Sequence, residues 1–177
     1  NNLDGYSSDV IAFWSNGRER LVKKSSPQKK FDYFFEAAGP GCTYVFKQKS
    51  IQKFKNFLIK EWEVINLVDR HDWMIYAYFR SQSMKWKIDN KPLMLYRQHD
   101  HNEVGLNFGL KAFLIRFYKI RTKWYRNEVQ KIILLLNKSS GQEIPLKRFF
   151  LIKNFWHLRR RPRDAIFLLI LITFQIF

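Results

Sequence analysis

Residues 35–45 read Phe-Glu-Ala-Ala-Gly-Pro-Gly-Cys-Thr-Tyr-Val. Gly39-Pro40-Gly41 demands backbone where side chains would obstruct, and Thr43 to Phe46 is a β-rich run. Phe31 to Phe35 ahead of it is aromatic. The stretch therefore predicts a glycine turn feeding a buried strand. Toward the N-terminus, Val10 to Trp14 is a short apolar run followed by Asn16-Gly17, a turn signal. Residues 18–30 are basic and polar with Ser-Ser-Pro inside, and read as a surface loop.

Toward the C-terminus the period changes. Ile51, Phe54, Phe57 and Leu58 recur at helical spacing within Ile51 to Glu63. Asp72 to Phe79 predicts a further helix with Asp72 near its N-terminus, a position that suits a carboxylate electrostatically. Lys85 to Ile88 and Leu93 to Tyr96 read as strands around an Asp89-Asn90 turn. From Leu110, apolar residues at 113, 114, 117, 120 and 124 predict a basic amphipathic helix ended by Ser139-Ser140-Gly141. A second aromatic and basic stretch runs from Phe149 to Arg163. Ala165 to Phe177 is almost wholly apolar, yet shorter than the ~20 residues a spanning helix needs. That tail suits interfacial binding, packing on the domain or part of a membrane span.

The 177 residues suffice for one domain with a true core, and 46% hydrophobic content argues against disorder. The formal charge is +17. Residues 101–177 hold 15 basic and 4 acidic side chains, against 17 and 11 in residues 1–100. The second part is the cationic one and favours anionic partners. Cys42 stands alone, so no internal disulfide forms, and a reducing compartment fits. The chain starts at Asn1 without an initiator Met, as a fragment would.

Two clusters carry chemistry: His71-Asp72-Trp73, and Tyr96-Arg97-Gln98-His99 followed by His101 and Asn102. A carboxylate beside an imidazole can take a proton, and Arg with His can hold a diphosphate or its metal. Each has an ordinary alternative. Asp72 is a good helix cap. Trp73 and Tyr96 are aromatic residues whose default is the core. Arg97 can pair at a strand end. His99 can be a structural histidine, and His71 a surface one. Cys42 has no nearby base in sequence and reads as a small core residue. His99 and His101 lack the further ligands of a structural zinc site.

The stretch 35–45, then His-Asp-Trp at 71–73, then Pro-Leu-Met-Leu-Tyr-Arg-Gln-His at 92–99 with Asn102 and Gly105, resembles the C-terminal half of a family 2 glycosyltransferase. Rhamnosyltransferase-like members of bacterial surface-polysaccharide pathways, including O-antigen synthesis, are the nearest in kind. The resemblance implies an α/β architecture, the C-terminal part of a GT-A fold, over residues 1–108. A basic helical region with an apolar tail then occupies 109–177. It implies an inverting transfer with Asp72 as general base. Gly39, Gly41, His71, Trp73, Arg97, Gln98 and Asn102 would line the substrates, and His99 would ligate Mg2+ or Mn2+. The implied partners are a nucleotide-sugar donor, a glycan or lipid-linked acceptor, and the inner face of the cell membrane, with no nucleic acid. The family's nucleotide-binding half and Asp-rich metal motif do not occur before Gly5, so the chain alone is expected to be inactive. The competing reading is a non-catalytic basic module that binds membrane or nucleic acid.

Overall fold

The computed structural model describes residues 2–98, 118–140 and 145–177. It is a mixed α/β structure built on two small sheets and a set of helices. Strand β1 (Gly5–Ser8) lies at the centre of the first sheet, antiparallel to β4 (Val45–Phe46) and parallel to β5 (Trp86–Asp89). Strand β2 (Val10–Phe13) is the centre of the second, antiparallel to β3 (Glu19–Val22) and parallel to β6 (Leu95–Arg97).

Asp9 alone separates β1 from β2, so a single run of chain passes from one sheet into the other. Its carboxylate is buried and accepts the backbone N–H groups of Lys24 and Ser25 and the Ser25 hydroxyl at 2.8 Å. A buried carboxylate at a corner needs such donors, and they fix the basic loop after β3 against it.

Several expectations change here. Residues 18–30 contain an edge strand, β3, because the Asn16-Gly17 turn closes a hairpin onto β2; Gly17 takes φ of 79°. The predicted turn at Asp89-Asn90 does not join β5 to β6 as neighbours. Each runs parallel to a different half of the β1–β2 ribbon, and residues 90–94 span the corner opposite Asp9. Thr43 to Phe46 holds a two-residue strand with Val45 62% exposed, so it is not a buried strand. A one-turn 3-10 helix, Gly41–Thr43, takes up the start of that run.

Helix α1 (Gln48–Lys60) buries Phe54 and Phe57, as its spacing predicts, and a short α2 (Trp62–Ile65) follows. Helix α3 (His71–Ser81) is enclosed on most sides, burying Trp73, Met74, Tyr76, Ala77, Tyr78 and Phe79. Helix α4 (Trp124–Ser140) packs Val129, Ile132, Leu135 and Leu136 into the same core. The basic helical pattern from Leu110 falls mostly outside the described residues. Where described, it is interrupted: the chain is helical at 118–121, breaks at Lys123 with φ of 54°, and restarts as α4. The break follows from tertiary bonding, since the Trp124 indole donates to Asp69 at 2.7 Å.

Helices α5 (Arg148–Leu158) and α6 (Pro162–Thr173) pack on one another. Pro162 opens α6 at a position whose N–H would have no helical partner. Of the three readings of the apolar tail, packing accounts for one face of it. Ala165, Leu168, Leu171, Ile172 and Phe177 are buried. Among the described residues no helix is long and apolar enough to cross a membrane.

The junction between α5 and α6 is tied to the aromatic stretch 31–37 by buried charges. Asp32 is fully buried. Its two oxygens accept from Arg80 at 3.2 Å, from Arg160 at 3.0 Å and from the Tyr76 hydroxyl at 3.1 Å. Arg160 also pairs with Glu36 at 3.3 Å. Arg160 thus belongs to the interior, although the sequence places it in a run of surface cations.

Candidate functional site

The Gly39-Pro40-Gly41 turn sits between the sheets and α3. Thr43 anchors it: its hydroxyl donates to the Pro40 carbonyl at 2.8 Å and accepts from Ser8 N–H at 3.4 Å. The Tyr44 hydroxyl donates to the Gly39 carbonyl at 3.3 Å. Neither Gly39 nor Gly41 has a positive φ. Proximity favours glycine at Gly41, while a Cβ on Gly39 would make ordinary contacts. A Cβ on Gly41 would lie 3.1 Å from the Asp72 Cβ and 3.7 Å from His71 Nε2. A Cβ on Gly39 would meet the Lys24 side chain at 3.7 Å. The turn therefore touches the head of α3 on one side and the basic loop on the other.

Arg70 occupies the cap position of α3 without a side-chain cap bond, so Asp72 lies in the first turn and is not the N-cap. Its Oδ1 accepts the Trp73 N–H at 2.8 Å. Among the described residues its second oxygen takes no hydrogen bond. Asp72 is half-buried and His71 exposed, so the open oxygen has access to solvent.

Charge reaches outward from Asp72. Burial pushes the Tyr44 hydroxyl well up, and the Asp72 charge adds to this. Burial also raises Tyr96, with Cys42 and Asp72 contributing. Tyr96 therefore belongs to this cluster as a protonated donor. Cys42 is exposed, which corrects its reading as a core residue: in the 3-10 turn it is the neighbouring Thr43 that faces inward. Partial desolvation of the sulfur and the nearby Asp72 push its thiol up, so it stays protonated and is a poor nucleophile.

The structure thus brings Gly39, Gly41, His71 and Asp72 together, with Tyr44 and Tyr96 beside them. Trp73 turns inward: its indole N–H donates to the Tyr33 carbonyl at 2.9 Å, and Tyr125 stacks on it at 5.8 Å. Arg97 follows Tyr96 along β6 and so points to the opposite face of the strand. Gln98 is buried, its backbone N–H bonded to Phe13 at 2.8 Å. His99, Asn102, His101 and Gly105 lie outside the described residues. Among the described residues no three His, Cys, Asp or Glu side chains are grouped to hold a metal.

Spacing alone does not signal Tyr44. It belongs to the site through a carbonyl contact five residues away.

The chain is similar to RfbG of Shigella flexneri, a dTDP-rhamnosyl transferase. Identity with RfbG is 44% over 182 residues, covering all of this chain and 63% of RfbG. The similarity with RfbG takes in both the Gly39–Asp72 cluster and the basic C-terminal helices. No family signature and no solved structure matches the chain.

Proposed function

We propose that this chain forms the acceptor-side part of an inverting family 2 glycosyltransferase of GT-A fold. Together with the portion of RfbG that it does not span, it would transfer rhamnose from a dTDP-linked donor. The acceptor is a growing surface polysaccharide, such as an O-antigen, or its lipid-linked precursor. The observation that carries this reading is Asp72: at the head of α3, whose first turn packs against Gly41, one carboxylate oxygen takes no hydrogen bond among the described residues. The similarity to RfbG supports the donor.

In this mechanism Asp72 accepts the proton of an acceptor hydroxyl as that oxygen attacks the anomeric carbon. The new C–O bond forms on the face opposite the leaving group, and the nucleoside diphosphate departs with the electron pair of the broken bond. His71 and the Gly39 and Gly41 backbone orient the acceptor, with Tyr96 protonated nearby. Trp73 acts through packing that holds the start of α3. Arg97, Gln98 and Asn102 are assigned to the donor side. His99 is the proposed ligand for Mg2+ or Mn2+, which would neutralise the leaving diphosphate, and no step above passes through the ion.

The site of action is the cytoplasmic face of the membrane. Exposed apolar side chains on α5 and α6 support peripheral attachment there, because their helical spacing places them in stripes.

Replacing the matching part of RfbG with this chain gives a protein whose transfer of labelled sugar from dTDP-rhamnose can be measured. In it, Asp72→Asn should lower turnover ~10²–10⁴-fold while dTDP binding is kept. Turnover within about twofold of the unsubstituted chimaera would leave Asp72 as a structural residue only.

A further inference from the structure

A second concave site lies apart from Asp72, between the segment preceding α4 and the junction of α5 with α6. It encloses about 400 Å³. Among the described residues, Lys24, Lys119, Arg159, Arg161 and Arg163 line it, with Asp164 as the carboxylate. Asp164 is shared, lying 3.8 Å from Arg159 and 3.5 Å from Arg163. Among the described residues Lys24, Lys119 and Arg161 form no ion pair. Three cations without a direct ion pair among the described residues therefore converge on one cleft, with the Glu36 charge acting on Lys24 and the Asp69 charge on Lys119 from farther off. Within the Arg159 side chain, Nε is buried without a hydrogen-bond acceptor, its nearest carboxylate oxygen being 3.8 Å away on Glu36. Converging like charges destabilise an empty site, and a bound anion relieves them.

The rest of the wall is apolar: Trp124, Phe167 and Leu171 face the same space. Lys119 lies 4.2 Å from the Trp124 ring centre. The volume is that of a small-molecule pocket. Guanidinium forks match phosphate oxygens in pairs.

We infer that this cleft binds a phosphate or diphosphate ester, with Lys24, Lys119 and Arg161 around the anion and the Trp124–Phe167 wall against an apolar or aromatic body. Burial lowers the Lys24 ammonium, against the pull of Glu36 and with the neighbouring arginines adding to it, and burial with Arg70 lowers Lys119 against Asp69. The assignment does not rest on sugar transfer at Asp72.

Calorimetric titration of the 177-residue chain tests it with three probes: inorganic pyrophosphate, uridine diphosphate and farnesyl diphosphate. Pyrophosphate should bind, and at least one ester should bind more tightly. A tighter uridine ester assigns an aromatic body, and a tighter farnesyl ester an aliphatic one. Lys119→Gln with Arg161→Gln should weaken all three about tenfold or more. Lys55→Gln with Lys60→Gln, a pair on the exposed face of α1, should leave them unchanged. Where the first pair loses its far-UV circular dichroism, Lys119→Gln alone carries the test, since its side chain only covers the Trp124 ring. The assignment is overturned by absence of binding to the parent chain. It is equally overturned by equal losses in the two pairs, or by pyrophosphate binding more tightly than both esters.

Discussion

At the scale of single residues, glycine and tyrosine carry more of this structure than their places in the sequence suggest. Gly5 lies in β1 beside Trp86, and a Cβ there would penetrate the indole ring. The ring cannot retreat, because Trp86 is buried and its N–H is bonded to Ser7 at 3.0 Å. Gly5→Ala should therefore destabilise the fold by about 2 kcal/mol or more through overpacking, read as a fall in the urea midpoint. Tyr33 sets a pH limit. Burial pushes its hydroxyl up to about 12, against an ordinary value of 10.0. Above pH 10 the unfolded chain loses this proton while the folded chain keeps it, so stability falls as pH rises from about 10 to 12. Tyr33→Phe should flatten that part of a urea-midpoint profile, and an unchanged slope would assign the effect to other tyrosines. The sequence motifs bring Asp72 and Gly41 to notice, and the fold joins them. Gly5 passes unnoticed, because a lone glycine in a short apolar stretch does not announce the indole that will cover it from 81 residues away.

The elements divide by how local their causes are. Helix α1 follows from apolar spacing, and β2 with its Asn-Gly turn follows from a short apolar run and a turn signal. The placement of β5 and β6 does not. Their own residues specify extended backbone, while the choice between pairing with each other and pairing with β1 and β2 is made by partners about 80 residues distant. The paired helices α5 and α6 show the same division. Their apolar content is plain in the sequence, but which residues face inward depends on packing. Phe149, Ile152 and Trp156 share one outer stripe of α5, and Ile166, Phe167, Ile170 and Phe174 one along α6, all exposed. Arg160, by contrast, is withdrawn into the interior. Binding to anionic liposomes should therefore have a salt-sensitive part from the remaining surface cations and a salt-resistant part from the aromatic stripes. Phe149→Ser with Phe174→Ser should remove the second part in co-sedimentation and spare the first. Deleting residues 164–177 would instead strip Leu168 and Leu171 from the core, so it tests stability before it tests attachment.

At the scale of the whole molecule, one core joins the sheets, α3 and the C-terminal helices, and the Asp32–Arg160 contact is its polar keystone. Removing the guanidinium would leave a buried carboxylate with Arg80 and the Tyr76 hydroxyl as its remaining donors. Arg160→Ala should destabilise by about 3 kcal/mol, whereas Arg160→Met with Asp32→Leu should recover part of that loss, because the buried carboxylate leaves while Arg80, its other partner, reaches partly to solvent. Thermal melts of the three proteins at equal pH decide it; equal melting of the single and double variants would show that the pairing is incidental. The same contact sets a schedule for synthesis. Asp32 and Arg160 are 128 residues apart, so at ribosomal speeds of about 5–20 residues per second Asp32 waits roughly 6–26 s for its second arginine. Until then the aromatic stretch around it is a nascent surface that cannot close, and this is the interval in which a chaperone would hold the chain.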